Sequence, residues 1–241
     1  MDPKSPNIHF VIPCAGVGAR AGRDTPKQYA QLAAKPMIAH TLEALLRVES
    51  AKTICLVVSP SDSLIEDILS KYVHGNLSKV VVVKKGGDTR ALSVLAGLKH
   101  LEGIGVPKDA WVLVHDAARC LISPELVEHL IKTCKDDEVG GLLAVPVADT
   151  LKQEEGGRVK NTITRGGKWS AQTPQMFRLE MLGRALQSEL SKHAELVTDE
   201  SSAIESLGLQ PILVRGHSTN FKITYPEDFE IAQAVLESRL R

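Results

Sequence analysis

The first segment whose residues could do chemistry is a glycine-rich loop that carries two cations. Pro13-Cys14-Ala15-Gly16-Val17-Gly18-Ala19-Arg20 follows an apolar run, and Pro26-Lys27 come shortly after it. Backbone N–H groups of such a loop can bind phosphate oxygens, and Arg20 and Lys27 would add positive charge. A solvated surface turn is the alternative, and it is disfavoured because Arg20, Pro26 and Lys27 occur together. The loop therefore predicts a phosphate-binding site.

The same glycines also fit a dinucleotide-binding fingerprint, although weakly. Gly16-x-Gly18-x-x-Ala21 has the spacing, but that fingerprint needs a helix directly behind its glycines. Asp24-Thr25-Pro26 interrupts such a helix, because proline in a helix interior costs about 3 kcal/mol. The second predicted strand, Thr53–Val58, does not end on an acidic residue that could bind a ribose. Both features disfavour a nicotinamide-dependent oxidoreductase.

Two further clusters follow predicted strands. Lys85-Gly86-Gly87-Asp88-Thr89-Arg90 precedes a helix that contains Ser93, and His115-Asp116-Ala117-Ala118-Arg119 follows the next strand. Taken alone, Asp88 would more often be a helix N-cap and Asp116 a turn residue. In open parallel sheets, however, ligands bind outside the carboxyl ends of the strands. The shared edge therefore favours a binding site.

These clusters need a sheet to position them, and the apolar pattern predicts one. Short runs without polar alternation are typical of strands that are buried on both faces. Five such runs occur: Ile8–Ile12, Thr53–Val58, Lys79–Val83, Ala110–His115 and Gly141–Val145. Helical periods separate them at Met37–Val48, Asp62–Lys71, Thr89–Leu101 and Pro124–Lys135. The alternation predicts an α/β fold with a mostly parallel sheet and helices on both faces.

The pattern changes after Pro146. Asp149–Arg165 is polar and has a Gly156-Gly157 turn, which predicts a protruding β-hairpin arm. Later segments predict helices and strands: helices at Arg178–Lys192 and Asp199–Ser206, strands at Gln210–Val214 and Asn220–Ile223, and a C-terminal helix with the capping-box spacing Thr224-x-x-Glu227. We interpret residues 1–241 as one domain with an excursion at 147–172.

Composition excludes several classes of protein. The 241 residues include 29 Lys+Arg and 29 Asp+Glu, so the formal net charge is zero, and aromatic residues make up 4%. Neither duplex nor single-stranded nucleic acid is an expected partner of such a chain. The apolar runs fall short of the roughly 20 residues of a membrane helix, and the N-terminus lacks the apolar stretch of a signal peptide. The spacing of the four cysteines disfavours zinc, so we expect no resident metal and a reducing cytoplasm.

One family combines these features in the same order. The segments that carry the resemblance are Pro13-Cys14-Ala15-Gly16-x-Gly18-x-Arg20, Pro26-Lys27-Gln28-Tyr29, Gly86-Gly87-Asp88-x-Arg90-x-x-Ser93, His115-Asp116-Ala117-Ala118-Arg119, Thr173-Pro174-Gln175 and Thr198-Asp199-Glu200-x-Ser202. The chain resembles the 2-C-methyl-D-erythritol 4-phosphate cytidylyltransferases of the non-mevalonate isoprenoid pathway. The resemblance covers nearly the whole chain.

The resemblance implies a fold and a reaction. The fold would be a Rossmann-like nucleotidyltransferase domain whose β-arm, residues 147–172, crosses to the partner in a homodimer. CTP and methylerythritol phosphate would give a CDP-alcohol and pyrophosphate, with Mg²⁺ delivered on the triphosphate. Three departures from the family pattern, at Cys14, Ala19 and Cys120, remove none of the charged groups.

The resemblance also implies roles for individual residues. The catalytic set would be Arg20, Lys27, Arg165 and Lys222. The nucleotide-binding set would be Pro13, Cys14, Ala15, Gly16, Gly18, Gly87, Asp88 and Ser93. The acceptor-binding set would be Asp116, Ala117, Arg119, Thr150, Arg165, Thr173, Thr198 and Lys222. Taken alone, the three threonines would more often be turn or cap residues, and Lys222 a solvated cation.

Two neighbouring functions stay open at this point. A sister cytidylyltransferase that acts on ribitol 5-phosphate shares the fold and much of the nucleotide pocket, although the segments at 116–119 and 198–200 favour methylerythritol phosphate. A catalytically inactive nucleotide-binding module is disfavoured, because Arg20, Lys27, Arg165 and Lys222 are all present.

Overall fold

A computed structural model describes residues 6–16, 26–192 and 197–239 of the chain. In chain order the strands are β1 (Ile8–Pro13), β2 (Gln31–Leu32), β3 (Lys35–Pro36), β4 (Ala51–Val57), β5 (Val80–Val83), β6 (Trp111–Val114), β7 (Gly140–Pro146), β8 (Leu151–Glu155), β9 (Arg158–Ile163), β10 (Trp169–Arg178) and β11 (Ile212–Arg215). The α-helices are α1 (Met37–Leu46), α2 (Ile65–Tyr72), α3 (Arg90–Gly103), α4 (Pro124–Cys134), α5 (Leu179–Lys192), α6 (Glu200–Glu205) and α7 (Pro226–Ser238).

Seven of these strands form one mostly parallel sheet in the order β11-β7-β10-β6-β1-β4-β5. β10 is its antiparallel member, and it pairs with both β6 and β7. All five apolar runs lie in this sheet. The prediction of a mostly parallel sheet is confirmed.

Apolar side chains alternate across the sheet and bury it on both faces. Along β1, Ile8, Phe10 and Ile12 pack with α1, α2 and α4, whereas Val11 packs with α3, α5 and α6 on the other side. Buried strands without polar alternation are explained by these two helical layers. The expected helices on both faces are confirmed.

β8 and β9 form a separate antiparallel hairpin, which we call the arm. Gly156 and Gly157 have φ values of 59° and 78°, the left-handed pair that a tight hairpin turn requires. Its strands are almost wholly exposed. The hairpin prediction is confirmed.

In the second half one prediction is wrong and one strand was missed. The strand expected at Asn220–Ile223 is irregular backbone, because Ile223 is buried against α7 instead of pairing in the sheet. β10 was not predicted, because its polar residues and Pro174 conceal a strand that is central in the sheet. Arg178 is consequently the last residue of β10, and α5 begins at Leu179.

The C-terminal helix positions the segment around Lys222. The carboxylate of Asp228, not Glu227, accepts hydrogen bonds from the backbone N–H groups of Thr224 and Tyr225, so the expected capping spacing is off by one residue. Ile223 donates its backbone N–H to the carbonyl of Ala118 at 2.9 Å. The segment after β6 and the segment before α7 are thus held together. In the described residues, the helices are all too short or too polar to cross a membrane.

Candidate active site

A cavity of about 270 Å³ lies where the loops after β1, β5 and β6 meet, and we call it the glycine-loop pocket. Its lining contains eleven of the predicted site residues: Pro13, Cys14, Ala15, Gly16, Lys27, Gly87, Asp88, Ser93, Asp116, Ala117 and Lys222. It lies at the carboxyl ends of three parallel strands, as expected for an open α/β sheet.

Two of the loops around this pocket are in direct contact. A Cβ at Gly86 would lie 2.2 Å from Ala15 Cβ and 2.8 Å from the Val58 carbonyl oxygen, so this position needs glycine. The hydroxyl of Ser93 accepts a hydrogen bond from the Gly87 N–H at 3.1 Å. Ser93 therefore fixes the loop that carries Asp88.

Cys14 lines the pocket, and the side chain of Gln28 holds its backbone in place. The Gln28 side-chain amide donates to the Cys14 carbonyl at 2.9 Å, and both residues are buried. Burial raises the pKa of the Cys14 thiol, which keeps it neutral and unsuited to nucleophilic chemistry. Sequence reasoning assigned no role to Gln28, although its place directly after Lys27 was visible.

Lys27 connects the loop region to the C-terminal segment. Its ammonium donates to the Ile223 carbonyl at 2.6 Å, and Ile223 directly follows Lys222. Two cations that are far apart in sequence therefore reach one pocket.

A second cavity of about 280 Å³ adjoins the first, and we call it the threonine pocket. The predicted residues in its lining are Asp116, Arg119, Thr173, Thr198 and Lys222. Arg119 donates to the carbonyls of Asn220 and Ala171 at 2.9 and 3.2 Å. Sequence reasoning missed further lining residues, namely Arg90, Ala171, Gln172, Gln175 and Asp199, and four of these five lie in β10 or at the start of α3.

Arg90, Asp116 and Lys222 line both pockets, and we call them the shared wall. The two carboxylate oxygens of Asp116 contact Arg90 Nε at 2.7 Å and Lys222 Nζ at 2.9 Å. Burial raises the pKa of Asp116, but these two cations outweigh burial and hold it below its usual range. Asp116 is therefore ionised.

Arg90 is tied in turn to Glu200, which is 1% exposed. The guanidinium donates to both Glu200 carboxylate oxygens, at 2.6 and 3.0 Å. A signal for Arg90 was present in the sequence. A cation at the start of a helix is electrostatically unfavourable there and needs carboxylate partners. Glu200 lies 110 residues further along, so its identity as that partner required the fold.

His115 and Thr173 form a buried contact beneath the threonine pocket. Thr173 Oγ1 lies 3.0 Å from His115 Nδ1 and accepts a hydrogen bond from the Asp116 N–H at 3.0 Å. His115 Nε2 lies 3.2 Å from the Arg119 carbonyl oxygen. Burial lowers the pKa of His115 to about 4.

The remaining predicted residues lie elsewhere. Thr150 and Arg165 flank the arm, where both are exposed, and the residues lining the two pockets do not include them. The Arg165 guanidinium contacts the Ala148 carbonyl. Gly18 and Arg20 lie outside the described residues. Within the described ranges, no three His, Cys, Asp or Glu side chains are grouped as metal ligands.

Comparison with known proteins supplies the family. The sequence model of the 2-C-methyl-D-erythritol 4-phosphate cytidylyltransferases matches residues 8–238. The chain belongs to this family. The predicted assignment to the cytidylyltransferases of isoprenoid precursor biosynthesis is confirmed, and so is the prediction of a nucleotidyltransferase.

Individual relatives of this cytidylyltransferase family agree. The chain is 50% identical over 237 residues to a bifunctional enzyme, IspD/IspF, of Albidiferax ferrireducens, covering 98% of this chain but 54% of that protein. It therefore spans about half the length of that relative. It is 48% identical over 227 residues to a 2-C-methyl-D-erythritol 4-phosphate cytidylyltransferase of Laribacter hongkongensis, covering 94% of each chain.

A solved structure of the same family shares the fold. The crystal structure of a 4-diphosphocytidyl-2C-methyl-D-erythritol synthase superposes with a TM-score of 0.84 at 38% identity, covering 96% of this chain and 98% of that one. The expected Rossmann-like nucleotidyltransferase fold is thereby confirmed. Nucleotidyltransferases of this kind generally use a divalent metal.

Proposed function

We propose that this chain transfers the cytidylyl group of CTP to 2-C-methyl-D-erythritol 4-phosphate and releases pyrophosphate. The observation that carries the proposal is the shared wall: Arg90, Asp116 and Lys222 border both pockets. A two-substrate transfer needs two adjoining pockets with the reacting groups at their common border. The names of the relatives support the choice of methylerythritol phosphate over ribitol 5-phosphate.

The chemistry of this transfer is limited by charge. A phosphate oxygen of the acceptor attacks the α-phosphorus of CTP, the new O–P bond forms, and the bond to the β-phosphate oxygen breaks. Because the nucleophile is already anionic, the protein need not supply a general base. Its task is to bring two anions together and to neutralise the developing charge.

The described cations fit that task. Lys27 lines the glycine-loop pocket and Lys222 lines both pockets, so Lys222 can serve the incoming phosphate and the α-phosphate. In this proposal Arg20 and Lys27 stabilise the transition state. Arg165 and Lys222 position the acceptor phosphate.

The other predicted residues divide between the pockets. The cytidine group lies against the nucleotide-binding set, which is Pro13, Cys14, Ala15, Gly16, Gly18, Gly87, Asp88 and Ser93. The acceptor lies against Asp116, Ala117, Arg119, Thr150, Thr173 and Thr198. Asp88 is exposed at the rim and has room to reach a base edge.

Mg²⁺ enters this scheme as part of the substrate, bound to the triphosphate. Asp116 already contacts Arg90 and Lys222 through both oxygens, so its charge is compensated by protein cations. Mg²⁺ that is coordinated by phosphate oxygens and water requires few ligands from the protein. When bound, it neutralises triphosphate charge.

We propose further that residues 1–241 form one cytidylyltransferase domain that dimerises through the arm segment 147–172. An isolated two-stranded hairpin is marginal in water, and the strands of this arm are exposed. A twofold partner would cover it and bring Arg165 and Thr150 to the partner's threonine pocket. The four cysteines are free and buried, which fits a reducing cytoplasm.

Release of pyrophosphate tests the proposed reaction. Purified protein with Mg²⁺ is given CTP, UTP or ATP, each with methylerythritol phosphate or ribitol 5-phosphate. We expect turnover with CTP and methylerythritol phosphate, and about 100-fold lower kcat/KM for the other bases. Activity should vanish in EDTA and return with Mg²⁺. Equal turnover with UTP or with ribitol 5-phosphate would overturn the corresponding assignment.

A further inference from the structure

The contacts of His115 determine which hydrogen-bonding role Thr173 can play. His115 Nε2 faces the Arg119 carbonyl oxygen at 3.2 Å, and a carbonyl oxygen accepts only. The ring is fully buried, and burial lowers its pKa to about 4, so at neutral pH it carries one proton. That proton lies on Nε2, where it has an acceptor. Nδ1 is then a bare acceptor.

Thr173 is the donor that faces this acceptor. Its Oγ1 lies 3.0 Å from His115 Nδ1, and a hydroxyl has one proton to donate. The Asp116 backbone N–H, 3.0 Å away, already donates to the same Oγ1. One lone pair of the hydroxyl is therefore left, and Thr173 lines the threonine pocket.

We propose that His115 is a positioning residue that fixes Thr173 as an obligate hydrogen-bond acceptor, so that Thr173 binds a hydroxyl group of the acceptor and not its phosphate. A phosphate dianion has no proton to donate, whereas a polyol hydroxyl does. The phosphate is left to the cations proposed to position it, Lys222 in this pocket and Arg165 of the arm segment. This inference rests on the proposed function for the identity of the acceptor.

The tautomer can be measured without any substrate. Long-range ¹H–¹⁵N spectra of histidine-labelled protein at pH 7 report which ring nitrogen carries the proton, and a His115→Asn variant assigns the signal. We expect a neutral ring with the proton on Nε2. A proton on Nδ1, or on both nitrogens, would overturn the inference.

Kinetics then test the ligand contact with acceptor analogues that each lack one hydroxyl. We expect one deoxy analogue to have about tenfold lower kcat/KM in the wild type, since one hydrogen bond is lost. Thr173→Val should abolish that discrimination, whereas Thr173→Ser, which keeps the hydroxyl, should retain it. If every analogue reacts like the parent acceptor, the inference is wrong.

His115 itself is tested by a matched pair of substitutions. Asparagine offers an oxygen acceptor to Thr173 and leucine does not, so His115→Leu should raise KM for the acceptor about tenfold while KM for CTP stays within about twofold. His115→Asn should lie closer to the wild type. Equal effects on both KM values would indicate a merely structural residue. If no cytidylyl transfer occurs with any acceptor while the Nε2–H tautomer is observed, the proposed function fails and the hydrogen-bonding role of Thr173 stands.

Discussion

The threonine pocket and the arm carry the same kinds of residue in opposite settings. Thr173 is buried and contacts His115 and Asp116, whereas Thr150 is exposed at the base of the arm. Arg119 donates to two carbonyls in the pocket, whereas Arg165 is exposed. The chain itself orients the pocket residues. Thr150 and Arg165 lie outside both pockets, so they can act in catalysis only if the arm packs on another surface, such as a partner subunit.

The largest expected effect compares a cation of the glycine-loop pocket, Lys27, with the exposed cation beside the arm, Arg165. Lys27→Ala and Arg165→Ala should each lower kcat by about 100- to 1,000-fold, because loss of one charge at a developing anion costs about 3–4 kcal/mol. The exposed Lys71 is a matched control, and Lys71→Ala should leave kcat unchanged. Pyrophosphate release measures all three. Near-normal turnover of Arg165→Ala would show that Arg165 takes no part in catalysis.

Mixed dimers test whether Lys27 and Arg165 serve the same active site from different chains. If Arg165 serves the partner's pocket, a dimer of one Lys27→Ala chain and one Arg165→Ala chain has one site with both lesions and one with none. Unfolding and refolding an equal mixture should then restore about a quarter of wild-type activity, since half of the dimers are mixed. Each variant refolded alone is the control. Mixed dimers as inactive as the parents would contradict an arm that acts in trans.

The next effect concerns stability and compares a buried ion pair with an exposed one. Glu200→Gln takes the charge from the buried partner of Arg90, which then keeps its contact with Asp116, and should lower the free energy of unfolding by about 3 kcal/mol. Asp67→Asn breaks the exposed pair with Lys71 and should cost less than about 1 kcal/mol. Urea denaturation gives both values. Similar costs would show that the Arg90–Glu200 contact does not hold the shared wall.

The last effect, which is small near neutral pH, is a pH dependence of stability that arises from His115. Its pKa falls from 6.5 to about 4 in the folded chain because burial disfavours the charged ring. Between these values the unfolded chain binds a proton that the folded chain does not, so stability is full above about pH 7 and decreases as the pH falls.

At pH 4 the loss should approach roughly 3 kcal/mol, with Asp116, Arg119 and Arg90 as the charged neighbours. Urea denaturation of the wild type and His115→Asn at several pH values measures it. We expect a shallower slope in the variant between pH 4 and 6.5. Parallel curves would show that another group titrates.

Most of the sheet could be predicted from the sequence, because its strands are uninterrupted apolar runs. The arm could also be predicted, because a glycine pair lies between two polar segments. β10 could not, since Trp169–Ala171 is exposed and Pro174 interrupts the rest. At Asn220–Ile223 an apolar pattern was misleading, because it packs against a helix. An apolar pattern in the sequence therefore indicates that a segment is buried, but it does not indicate which element packs against that segment.

The candidate site divides in the same way. Glycines, aspartates and cations beside strand ends could be found from the sequence, because their positions follow from the order of elements. The Arg90–Glu200 and His115–Thr173 contacts could not, since they join residues 110 and 58 positions apart. Such contacts decide protonation and orientation, which residue types alone do not reveal.

Asp116 and Lys222, which border both pockets, make the two binding events thermodynamically dependent on each other. An anion that binds Lys222 from one side changes the field that the other ligand meets. By linkage, the factor by which CTP alters the dissociation constant of the acceptor must equal the factor by which the acceptor alters that of CTP. Two titrations of one ligand, with and without the other, therefore determine the cooperativity of the pair.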